Sequence, residues 1–123
     1  MITCDNFHHI WLNEDFASYT EAFWFEHLYP GYTASEYQMG YQLYLGPGTI
    51  YVEDPENQNI FDSGPCYRKG SWVLHMLRHI TGDNMFFIIL KTYYASPEHK
   101  YGAATTEDFQ AIVGIVNILK CYE

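Results

Sequence analysis

The sequence predicts an all-α protein, an array of about five short helices. Three observations carry this reading. Apolar residues recur at helical spacing, as in Trp72, Val73, Met76, Leu77 and Ile80. Helix-start chemistry precedes such stretches, as in Thr105-Thr106-Glu107-Asp108. Glycine–proline clusters separate them, as in Gly46-Pro47-Gly48. The chain has 123 residues, 48% of them apolar and 19% aromatic, which suits one domain with a modest core and excludes a disordered tail.

Taken in order, Met1 to Leu12 reads as a loop or short extended entry. Asn13 is a good N-cap for a helix over Glu14–Tyr29, with acidic residues in the first turn where the helix dipole favours them. Pro30-Gly31 stops it. Thr33 or Ser35 caps a second helix to about Leu45. Residues Thr49 to Pro65 are rich in turn chemistry, including Asp54-Pro55, Asn57, Asn59 and Ser63-Gly64-Pro65. Within them, Ile50-Tyr51-Val52 could form a short strand. A third helix is predicted from about Tyr67 to Ile80, and a fourth, after Thr81-Gly82-Asp83, from about Asn84 to Tyr94. Ser96-Pro97 and Tyr101-Gly102 make a loop, and a fifth helix follows Thr105.

Charge and cysteine usage narrow the function. Six Lys and Arg stand against fifteen Asp and Glu, a net charge of −9. That excludes the basic footprint of a nucleic-acid binder and disfavours an anionic membrane surface. No run of eighteen apolar residues occurs, so no membrane span is predicted, and the first residues lack the pattern of a secretory signal. Cys4, Cys66 and Cys121 are odd in number and form no CxxC pair, which argues for free thiols over a disulfide framework or zinc knuckle.

The most specific stretch is Trp11-Leu12-Asn13-Glu14-Asp15-Phe16-Ala17-Ser18-Tyr19. It resembles the WLNEGFASY segment of the aminopeptidase N family of zinc exopeptidases. A second stretch, Tyr67-Arg68-Lys69-Gly70-Ser71, looks like that family's YxKG segment. Gly82-Asp83 with Phe86-Phe87, and Ala104 to Phe109, resemble its later helices. The resemblance runs from about Met1 to Val113 and leaves a divergent tail over 114–123. It implies the helical lobe of a thermolysin-like catalytic domain. It also implies zinc held by an HExxH helix and by a glutamate of the next helix. Glu14 matches that glutamate. Tyr67 matches the tyrosine that hydrogen-bonds the oxyanion of the tetrahedral intermediate. Peptides with a free amino terminus are the implied substrates.

The 123 residues contain no HExxH, and the family spacing places its second histidine before Met1. The expectation is therefore a partial catalytic domain, inactive in isolation and without tightly bound zinc, or a non-catalytic interaction module derived from it. Asp15 stands where the family has glycine, and an added carboxylate beside a ligand is expected to raise local negative charge. Glu21, seven residues after Glu14 on the same helix face, is a candidate outer-shell partner for a metal-binding histidine. His75 and His79 are four apart on a predicted helix, but lack the glutamate of HExxH between them. His8-His9 is a weaker metal candidate, because adjacent side chains on a strand point to opposite faces. The aromatic run Phe23-Trp24-Phe25, with Tyr41, Tyr44, Trp72, Phe86 and Phe87, reads as core. Part of it is expected to leave exposed apolar surface that favours self-association.

Overall fold

Helix capping starts earlier in the chain than Asn13. In the computed structural model, which describes residues 2–121 and side chains through 115, the Asn6 side chain accepts from the His8 N–H and opens a 3₁₀ turn over Phe7–His9. That turn runs through Ile10 into α1, Trp11–Leu28. Asn13 therefore lies inside the helix. Its side-chain oxygen accepts from the Cys4 backbone N–H at 2.8 Å and fastens the entry segment to α1. The predicted cap is thus replaced by a tether.

A capping box opens α2, Ala34–Tyr41: Thr33 accepts from the Glu36 N–H, and the Glu36 carboxylate accepts from the Thr33 N–H. The helix ends four residues before Leu45. The chain turns away at Gln42, whose carbonyl is taken by the Trp72 indole N–H at 3.0 Å. Ile50-Tyr51-Val52 forms no strand; the Val52 N–H is bound by the His8 carbonyl at 3.1 Å instead.

Before the third helix, Ser63–Lys69 is wound as a π turn, with i→i+5 bonds and Asp62 as its cap. It continues into α3, Gly70–Thr81. Helix α4 follows at Asp83–Ala95, and α5 runs over Thr106–Cys121. Two short stretches are extended, one in the entry segment and one just before α5. Thr3–Cys4 (β1) pairs in parallel with Ala103–Ala104 (β2). Such a pairing is too short to show a period-2 pattern, so the sequence hides it. The divergent tail lies mostly beyond the described side chains.

The core gathers one face of each helix. Tyr19, Leu74, Phe86 and Ile89 are fully buried, with Trp11, Phe16, Tyr93, Phe109 and Ile112 around them. The aromatic rings meet edge-on or tilted, for example Phe16 with Phe109 at 5.2 Å and Tyr93 with Phe109 at 5.1 Å, arrangements that suit their quadrupoles. Arg78 staples α1 to α3 and α4. It pairs with Glu26 at 3.0 Å and Asp83 at 2.9 Å while lying over the Phe23 and Phe87 rings. Trp24 and Tyr41 are exposed, the outcome expected for part of the aromatic set, and Met39, Leu45 and Ile80 are exposed as well. Among the described residues no helix is long and apolar enough to cross a membrane.

Candidate functional site

Glu14 sits in the first turn of α1, where the unpaired N–H groups of the helix end favour a carboxylate. It is partly exposed. Against this end of α1 packs the π turn, which carries Cys66 and Tyr67. The structure thus brings together Glu14 and Tyr67, fifty-three positions apart in sequence. Partial burial raises the pKa of the Tyr67 phenol, and the nearby Glu14 carboxylate raises it further. A π turn inserts one extra residue per turn and is frequent at functional sites. Here it sets Tyr67 at the foot of α3 rather than on its regular face.

Below this pair the interior is apolar and its groups are kept neutral. Burial pushes the Cys66 thiol up to about 12, aided by Asp15 and Glu14. Burial also raises Cys4. Neither thiol is a nucleophile at neutral pH, since the thiolate is the reactive form.

Asp15 is the least expected feature. Its side chain is completely buried and neither carboxylate oxygen has a hydrogen-bond partner. It points into the crossing of α1 with the start of α3. A Cβ added at Gly70 would lie 1.5 Å from Asp15 Oδ2. Burial, then the neighbouring Glu14, lifts the Asp15 pKa from 3.8 to about 9. At neutral pH this carboxyl is protonated, so the extra negative charge anticipated beside Glu14 is not supplied by it. The two positions that touch here are Asp15, which stands where the resembled segment has glycine, and Gly70.

The other candidates are placed elsewhere. Glu21 is exposed and its carboxylate accepts a hydrogen bond from Tyr37 OH, which helps push that phenol up to about 12 after burial has raised it. His75 is committed at both ring nitrogens, to Tyr19 OH at 2.9 Å and Ser35 Oγ at 3.2 Å. Burial, Arg78 and His79 lower its pKa. His79 shares with Arg78, Glu26 and Asp83 a small cleft of about 190 Å³. His8 and His9 lie on the 3₁₀ turn, not on a strand. The His8 ring donates to the Val52 carbonyl, whereas the His9 Nδ1 takes hydrogen bonds from the Thr106 hydroxyl and N–H. Among the described residues no group of three His, Cys, Asp or Glu side chains converges to hold a metal. Glu14 fits one corner of a zinc site; the described donors do not fit a complete one.

A cleft of about 500 Å³ adjoins the pair on the side of Cys66. Its apolar wall includes Tyr44, Ile50, Val52, Ile60 and Pro65, and Glu53 and Asp62 stand on its rim. Sequence reading did not find it, because its wall is the irregular stretch 44–66. The one signal was the density of turn residues there.

Comparison with known proteins bears on the family. The model of the peptidase family M1 domain matches residues 1–117. Aminopeptidase N of Lactobacillus delbrueckii subsp. lactis is 31% identical over 119 residues, covering 88% of this chain and 14% of its own length. Aminopeptidase N of Lactococcus lactis subsp. lactis is 32% identical over 114 residues, covering 80% of this chain and 13% of its own. Glutamyl aminopeptidase of Bos taurus is 30% identical over 127 residues, covering 90% of this chain and 12% of its own. The chain therefore spans about one seventh of the length of the relatives it matches. No solved structure gives a significant match. With a family match over nearly its whole length, and relatives about 30% identical over most of it, the chain belongs to the M1 peptidase family.

Proposed function

We propose that these residues are the part of a zinc aminopeptidase's helical lobe that presents the third zinc ligand, Glu14, and the oxyanion partner, Tyr67. The observation that carries the proposal is their juxtaposition at the meeting of α1 and the π turn. Glu14 would complete a zinc site with the two histidines of an HExxH helix, and bound zinc would supply a polarised carbonyl and an activated water. Tyr67 holds its proton, because burial and Glu14 keep the phenol neutral. A neutral phenol beside the reacting carbon donates a hydrogen bond where negative charge grows, which is worth about 10²–10³ in rate. The substrates are peptides with a free amino terminus.

By themselves the 123 residues neither hold zinc tightly nor hydrolyse peptides, since one carboxylate does not replace a three-ligand site. Metal analysis of the purified protein should find no stoichiometric zinc. Amino-acid amide reporters should not be cleaved, and Glu14→Ala should change neither result. Tight zinc with turnover lost on Glu14→Ala would overturn this. When the HExxH helix is joined to these residues, Tyr67→Phe should lower kcat about 10²–10³-fold with little change in KM.

Asp15 favours a second reading, a non-catalytic helical module that acts through protein contacts, including self-association through its exposed apolar side chains. A buried unpaired carboxyl directly beneath Glu14 is a costly neighbour for a metal ligand. A concentration-dependent dimer that survives Glu14→Ala, with no zinc uptake after the HExxH helix is joined, would favour the module.

A further inference from the structure

Lys69 lies two residues beyond Tyr67 on the same π turn. Its ammonium is spent on backbone carbonyls: Nζ donates to Gly48 O at 2.6 Å and to Gly46 O at 3.2 Å. It also stands 5.8 Å from the centre of the Tyr44 ring. Tyr44 in turn donates its hydroxyl to the Pro47 carbonyl at 2.8 Å. The ring fills the space beside two glycines, where a Cβ at Gly46 or Gly64 would come within 2.5 Å and 2.4 Å of it. Tyr44, Pro47 and Gly48 form the outer wall of the cleft of about 500 Å³, and Cys66, the neighbour of Tyr67, forms its inner edge.

One charged side chain therefore ties the far wall of the cleft to the turn that carries Tyr67. We propose that Lys69 is a positioning residue that fixes the width of this cleft and couples the 46–48 wall to the orientation of Tyr67. The inference rests on reading the cleft and Tyr67 as parts of one peptidase site. Three donors on a flexible stem suit this task, because an ammonium can satisfy two carbonyls of a single bend. Charged hydrogen bonds of this kind are strong enough to hold a loop closed by a factor of about ten or more. The coupling runs both ways, so a change at the wall must be felt at Tyr67.

The test uses the whole 123-residue protein with carbonyl- and tyrosine-labelled NMR, and needs neither zinc nor turnover. Its failure is thus separate from any failure of the peptidase reading, which the Tyr67→Phe kinetics address. Two substitutions probe the wall and the strut. Tyr44→Phe keeps the ring and removes only the bond to Pro47; Lys69→Met removes the ammonium. Lys69→Arg is the rescue. Tyr44→Phe should shift the Gly46 and Gly48 carbonyl signals and the Tyr67 ring signal together, while Phe86 and Phe109 hold still. Lys69→Met should do the same and speed proteolytic cutting of the 42–59 segment about tenfold. Lys69→Arg should restore both signals and slow the cutting again. Loop carbonyls that do not move in either variant would remove the clamp. Loop carbonyls that move under Tyr44→Phe while Tyr67 stays fixed would remove the coupling, and either result overturns the proposal.

Discussion

Replacing Asp15 with alanine should stabilise the protein, and by an amount that grows with pH. The folded carboxyl has a pKa of about 9 against 3.8 in the unfolded chain. A raised pKa means that the folded state keeps a proton the unfolded state has released. The contribution is most favourable below pH 3.8 and is lost as pH rises toward 9. Between those limits each pH unit removes about 1.4 kcal/mol. At pH 7 the loss is about 4 kcal/mol, a large share of the 5–15 kcal/mol that holds a typical domain. Alanine abolishes this loss, keeps the helix well formed, and gives back about 1–2 kcal/mol for the small void. The net gain at pH 7 is therefore about 2–3 kcal/mol, falling to nothing or below near pH 4. The assay is urea unfolding followed by tryptophan fluorescence at pH 5 and pH 8. The wild-type protein should lose about 4 kcal/mol more than Asp15→Ala over that span. Other titrating groups, such as His75 with its lowered pKa, are common to both proteins and cancel in the difference. Parallel pH dependences for the two proteins would refute the assignment of Asp15 as a buried, unpaired acid.

The same crossing gives a second prediction: Gly70→Ala should destabilise the wild-type protein by more than 2 kcal/mol, about the cost of overpacking, and should be well tolerated when Asp15 is also glycine. A thermodynamic cycle over the two sites measures that coupling. Arg78→Met should cost about 3 kcal/mol in chemical denaturation, because it leaves the half-buried Glu26 carboxylate without its partner. In the same variant the Asp83 carboxyl, now held below its usual range by Arg78, should titrate at higher pH by NMR. Thr106→Val should cost about 1–3 kcal/mol, since it strands the Trp11 indole N–H that donates to the Thr106 hydroxyl at 2.9 Å. Thermal unfolding with Trp11 fluorescence reads this directly.

Much of the helical order was legible because each helix carries its own punctuation. Thr33 with Glu36, and Thr105 with Asp108, form the reciprocal cap bonds that their spacing announces. The spacing of Trp72, Val73, Met76, Leu77 and Ile80 announces α3 but not its inner face: Ser71 and Leu74 are buried, whereas Met76 and Ile80 are exposed. The start of α1 was misplaced for a physical reason. Asn6 and Asn13 are equally good caps in composition; Asn6 caps the 3₁₀ turn through the His8 N–H, whereas Asn13 is taken by the Cys4 N–H of the entry segment and lies inside the helix. The π turn has no sequence signature of its own, since its apolar and polar residues fit a helix that merely begins early. At the candidate site, Glu14 and Tyr67 are singled out by motif resemblance. Their nearness was not legible, because it depends on how α3 crosses α1. The fate of Asp15 was hidden for the same reason: a carboxylate in a first helical turn is ordinarily solvated, and only Gly70 across the crossing shows that this one is enclosed.

The clasp between the chain's two ends has a consequence for folding. Thr3–Cys4 pairs with Ala103–Ala104, and Trp11 and His9 both reach Thr106. These few bonds close a ring of almost the whole polypeptide. Loop closure of that span is entropically expensive and offers little reward until the helices between are already stacked. The clasp therefore belongs late in the order of events. Once shut, it makes the entry segment and α5 answerable to one another, so that fraying at either end must first release the other.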